Sequence, residues 1–150
     1  MSQQCKTVLD NGMTVISRTM PDVRSVSLGL WFNVGSRDER PDQAGLTHFM
    51  EHMMFKGTPT KGPLDISMHF DRLGAELNAF TSKEYTCYYA RFVDDKLEDA
   101  LSVLAEMVIE SNLQLGYWNI DSVRKFFHVP VEKYTVQMAT AKQKNKFQHI

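Results

Sequence analysis

Hydrophobic and polar positions along the chain change period several times, and the changes outline a mixed α and β chain. Residues 7–18, TVLDNGMTVISR, hold two short β-rich runs around Asp10, Asn11 and Gly12. Asn-Gly between such runs is the strongest short hairpin signal. Residues 25–34, SVSLGLWFNV, predict a further strand. The polar stretch GSRDERPDQAG then gives way to LTHFMEHMMFK, where Leu46, Phe49, Met50 and Met53 fall on one helical stripe and Gly57 can end the helix. Residues 64–77, LDISMHFDRLGAEL, predict a second helix, and residues 78–93, NAFTSKEYTCYYARFV, are dense enough in aromatic and β-branched side chains for a strand or a hairpin. Leu97, Leu101, Leu104, Val108 and Ile109 recur at helical spacing, which predicts a third helix. The last stretch, VQMATAKQKNKFQHI, is polar and without clear period, and it reads as a frayed tail.

Composition narrows the class without changing this outline. At 150 residues, 43% hydrophobic and 23% charged, the chain suits one globular domain and not a disordered, collagenous or disulfide-framework protein. A net charge of −1 argues against a protein that grips nucleic-acid backbone. No window has the roughly 18 uninterrupted apolar residues of a membrane span, and the N-terminus, MSQQCKTVLDNGM, lacks an apolar signal core, so a cytoplasmic location is expected. Cys5 and Cys87 are too few and too far apart for a zinc ribbon or a disulfide scaffold. Charge is unevenly spread: residues 1–115 carry 16 acidic and 11 basic side chains, whereas residues 116–150 carry 2 and 6. That shift predicts a folded unit over residues 1–115 followed by a divergent basic tail over 116–150.

The chemistry is concentrated in His48-Phe49-Met50-Glu51-His52. On a helix His48 and His52 project from one face, so both imidazoles can reach a single ion at about 2.0 to 2.1 Å. Glu51 stands at the edge of that face, placed to touch a water beside the metal without being a ligand, which is the position of a general base. Composition alone would produce this spacing only about 0.01 times in such a chain. The plainer alternative is an amphipathic helix whose imidazoles are merely hydrogen-bonded.

The run GLTHFMEHMMFKGT resembles the inverted zinc motif, His-x-x-Glu-His, of the pitrilysin and insulinase metallopeptidases, which include the mitochondrial processing peptidases. LDNGMTVISR, SVSLGLWFNVGSRDE, LGAELNAFTSKEYTCYYARF and LEDALSVLAEMV resemble the same family's N-terminal domain, in the expected order, so the likeness covers about residues 5–113. It implies an α+β fold, a two-layer α/β sandwich in which a mostly antiparallel sheet is backed by helices. It also implies peptide-bond hydrolysis with zinc as cofactor, His48 and His52 as metal ligands and Glu51 as the catalytic base. An edge strand around Asn78 and Phe80 would receive the substrate backbone by β-augmentation, with Phe55 and Phe80 lining a side-chain subsite. Core packing is the alternative for both rings.

A catalytic zinc site normally has three protein ligands and one open position. The resemblance implies a glutamate about 76 residues beyond the second histidine, and here that count lands on His128, with Glu132 four residues later. Pro130 would break a helix carrying either one. The fading likeness after residue 113 implies a truncated or frame-shifted product, or else a short paralogue with a new tail. The expected partners are a peptide or protein substrate and a second peptidase-like domain or subunit, with no nucleic acid and no membrane span. Two other functions fit the same residues: a non-catalytic peptidase-like subunit that binds peptides or a partner chain, and a small zinc hydrolase on the same sandwich.

Overall fold

The Asn-Gly signal sets the first piece of structure. In the computed structural model, which describes residues 3–111 and the backbone of 134–140, Gly12 adopts φ 87°, a left-handed conformation that glycine enters without strain. Asn11 Oδ1 accepts the Met13 N–H at 3.0 Å, and the Leu9 N–H donates to the Met13 carbonyl at 2.8 Å. This turn folds β1 (Gln3–Val8) back onto β2 (Thr14–Thr19) as an antiparallel hairpin.

Next come β3 (Ser25–Phe32), α1 (Leu46–Met54), α2 (Pro63–Arg72), β4 (Glu76–Thr81), β5 (Thr86–Val93), α3 (Leu97–Ile109) and β6 (Tyr134–Thr140). The strands form one sheet in the order β1-β2-β6-β3-β5-β4, antiparallel throughout except for the parallel β2–β6 pair. Strand alternation sends Val26 and Leu28 of β3, with Tyr88, Ala90 and Phe92 of β5, to one face. There they meet Leu46, Met50 and Met54 of α1, Ile66 and Phe70 of α2, and Leu97, Ala100, Val103, Leu104 and Met107 of α3. The result is an α+β fold of two layers, with the helices on one face of a mostly antiparallel sheet. Among the described residues no helix is long and apolar enough to cross a membrane.

Two expectations need correction. The second helix does not run to residue 77: it stops at Arg72, and Gly74 takes φ 62°. The Ala75 N–H donates to the Phe70 carbonyl at 2.9 Å and the Gly74 N–H to the Asp71 carbonyl at 3.0 Å, a Schellman closure that frees residues 76 onward to start β4. Residues 134–140 do not fray. They form a strand between β2 and β3, with Val136 opposite Val15 on one side and Leu30 on the other. A strand in that slot satisfies two rows of backbone groups that would otherwise be unpaired, a gain invisible to local periodicity. His128 and Glu132 lie outside the described residues.

Candidate metal and catalytic site

Helix α1 is started from outside itself. Its first residues are preceded by Gly45, at φ 88°, whose lack of a side chain leaves the helical N–H groups without a local cap. Glu39 supplies one: its two carboxylate oxygens accept the Gly45 N–H and the Thr47 N–H, each at 2.8 Å. Partial burial pushes the Glu39 carboxyl upward, but hydrogen bonds from Thr47 and Gly45 outweigh it and leave the group below its ordinary range. A carboxylate there also suits the positive end of the helix.

With the start set, the helical period sorts the motif. Leu46, Met50 and Met54 turn into the core, while His48 and His52 are exposed on the other side and Glu51 is half-buried. The two Nε2 atoms come within 3.1 Å, with ring centroids 4.6 Å apart. Two nitrogens each about 2.0 to 2.1 Å from one ion, at roughly 100°, would be separated by about that distance. The pair therefore fits two donors of one tetrahedral metal. Among the described residues no third His, Cys, Asp or Glu joins them.

Glu51 is held by the sheet: Thr81 Oγ1, at the end of β4, donates to Glu51 Oε2 at 2.6 Å. Burial, with the Glu51 carboxylate adding to it, pushes the Tyr88 phenol far up, so that side chain stays neutral. Burial likewise pushes the Cys87 thiol up to about 12, which makes it an inert core group.

β4 is an edge of the described sheet. Asn78 is exposed on it, and its Oδ1 accepts the Ala79 N–H at 2.8 Å, a backbone donor that faces the free edge rather than β5. Phe80 is 38% exposed and meets Trp31 edge-on at 5.7 Å, with Tyr85 and Tyr89 at 6.0 and 6.1 Å. Phe55 instead lies 6.3 Å from Tyr88 in the helical layer. Tyr88 and Tyr89 point to opposite faces of β5, so Phe55 and Phe80 belong to separate clusters. Thr81 and Glu39 escaped the sequence reading. Thr81 shares the inward register of Leu77 and Ala79, but only the packing of α1 beside β4 gives that register a meaning.

Residues 14–148 match the family described as insulinase, peptidase family M16. The chain belongs to that family. The match continues to residue 148, well past residue 113 where the likeness read from the sequence fades. Among similar proteins, the uncharacterized zinc protease YmxG of Bacillus subtilis is 52% identical over 101 residues, 67% of this chain and 25% of that protein. The uncharacterized zinc protease SCO5738 of Streptomyces coelicolor is 49% identical over 109 residues, 73% of this chain and 24% of that one. The chain thus spans about a quarter of the length of these curated relatives. A solved protease from Helicobacter pylori shares the fold, with a TM-score of 0.85 at 19% identity over 96% of this chain and 48% of that one.

Proposed function

We propose that this M16 chain is the metal-binding, base-carrying part of a zinc endopeptidase. In this reading His48 and His52 are two of the zinc ligands, Glu51 is the general base, and β4 receives an extended stretch of a peptide or protein substrate. The observation that carries it is the 3.1 Å approach of the two Nε2 atoms on one helix face, with Glu51 between them in sequence. When bound, zinc polarises a carbonyl and lowers the pKa of a water to about 7.

The chain's own groups do the rest. His48 and His52 would hold the ion through Nε2, the ring nitrogens that face each other. Glu51 would accept a proton as the water oxygen bonds to the scissile carbonyl carbon, then return it to the amine nitrogen as the C–N bond breaks, so one carboxylate serves both halves of the reaction. At the free edge of β4 an incoming peptide carbonyl takes the Ala79 N–H in place of Asn78 Oδ1, and the released Asn78 amide can bond the peptide. Phe80, packed with Trp31 and Tyr85, offers an apolar surface to a substrate side chain on the outer face. His128 and Glu132 are the candidates for the third ligand, and a second peptidase-like domain or subunit is the partner this reading calls for.

The alternative reading is a non-catalytic subunit that binds peptides. Metal analysis separates them. The chain purified without chelators is expected to hold close to one zinc, lost in His52→Ala because second-layer groups cannot replace a ligand bond. No zinc after purification and none on titration overturns the metallopeptidase reading. Bound zinc without hydrolysis of any peptide by the full-length protein favours the subunit.

A further inference from the structure

The bond between Thr81 and Glu51 joins residues 30 positions apart, and it links the motif helix to the strand at the sheet edge. Along β4 the exposure alternates: Glu76, Asn78 and Phe80 point outward, and Leu77, Ala79 and Thr81 are half-buried toward the helices. Of the three inward side chains only Thr81 carries a hydroxyl. No other hydrogen bond or ion pair holds Glu51 among the described residues. A glutamate on a helix surface otherwise samples several staggered rotamers, each of which puts its carboxylate in a different place.

A hydroxyl has a single proton to donate, and here it goes to Oε2. Among the described residues Oε1 accepts no hydrogen bond. We infer that Thr81 is a positioning residue for Glu51: its hydroxyl clamps one carboxylate oxygen so that the other is presented to the reacting water. This rests on the metallopeptidase reading for its purpose, though the clamp itself is independent of metal. It also gives β4 a second role. The strand proposed to align an extended peptide also aligns the base, one residue beyond Phe80.

The clamp can be read in the metal-free 150-residue chain by NMR, using glutamate labelled with ¹³C and the Glu51 signals assigned by their loss in Glu51→Gln. Thr81→Val replaces the hydroxyl by a methyl of similar size and keeps β-branching, and Thr81→Ser keeps the hydroxyl. The expected result is a displaced Glu51 carboxylate resonance and rotamer-averaged side-chain couplings in Thr81→Val, with wild-type values in Thr81→Ser. Thr81→Ala serves in place of the valine variant if that one does not fold. Unchanged shift and couplings in the hydroxyl-free variant overturn the proposal, as does an equal change in Thr81→Ser. Because zinc is absent, failure of the clamp is distinguishable from failure of the zinc reading, which the metal stoichiometry of His52→Ala decides separately.

Discussion

Lys61 Nζ and Glu106 Oε2 lie 2.5 Å apart, joining the connection between α1 and α2 to the last turn of α3. Thr58 Oγ1 donates to the other carboxylate oxygen at 2.5 Å, and the Thr60 hydroxyl donates to it as well. The Lys61 bond first, then those from Thr58 and Thr60, hold the Glu106 carboxyl down at about 2 against burial that would raise it.

The sign of that shift gives a pH prediction. A carboxylate whose folded pKa is depressed stabilises the fold above its ordinary value, 4.5, and loses that contribution as pH falls toward about 2. Glu106→Gln is expected to lower stability by about 2 kcal/mol at pH 7. Urea unfolding of both proteins from pH 7 to pH 2 checks it. The difference between them narrows below pH 4.5, and a gap that stays constant down to pH 2 would refute the account.

Glu51→Gln tests the base. An amide cannot accept the water's proton while the imidazoles are untouched, so the full-length variant is expected to keep its zinc and lose about 10² to 10⁴-fold in peptide turnover. Metal analysis beside a peptide-cleavage assay reads both arms, and wild-type turnover would remove Glu51 from the role.

Glu39→Ala removes the external cap of α1 and is expected to cost about 1 kcal/mol. Hydrogen exchange at the amides of Gly45 and Thr47, the two donors it holds, should accelerate well before exchange in α3 does. Weaker zinc binding should accompany the loss, because the first turn carries His48. Unaltered protection at both amides would show that the cap is dispensable.

Val136→Pro probes the strand that replaced the expected tail. Val136 sits between Val15 and Leu30 inside the sheet, and proline removes a backbone donor there. A loss of about 3 kcal/mol is expected in thermal or urea unfolding. A frayed segment would tolerate the change with no measurable effect.

Much of this protein was legible in one dimension because the relevant physics is local. Asn11-Gly12 specifies its turn through the backbone freedom of one glycine, α3 follows from the spacing of Leu97, Leu101 and Leu104, and the i, i+4 spacing of His48 and His52 makes their convergence a property of any helix. The polar and apolar residues after Arg72 suit both helical and strand periods, and the closure at Gly74 settles which one wins. Only the tertiary structure could decide the rest, since each remaining feature joins segments far apart in sequence. It placed Thr81 against Glu51, brought Glu39 to the start of α1, separated Phe55 from Phe80 by the thickness of the sheet, and drew residues 134–140 between β2 and β3. Those choices depend on which strand edges and helix faces need partners, and such needs exist only once the layers have packed.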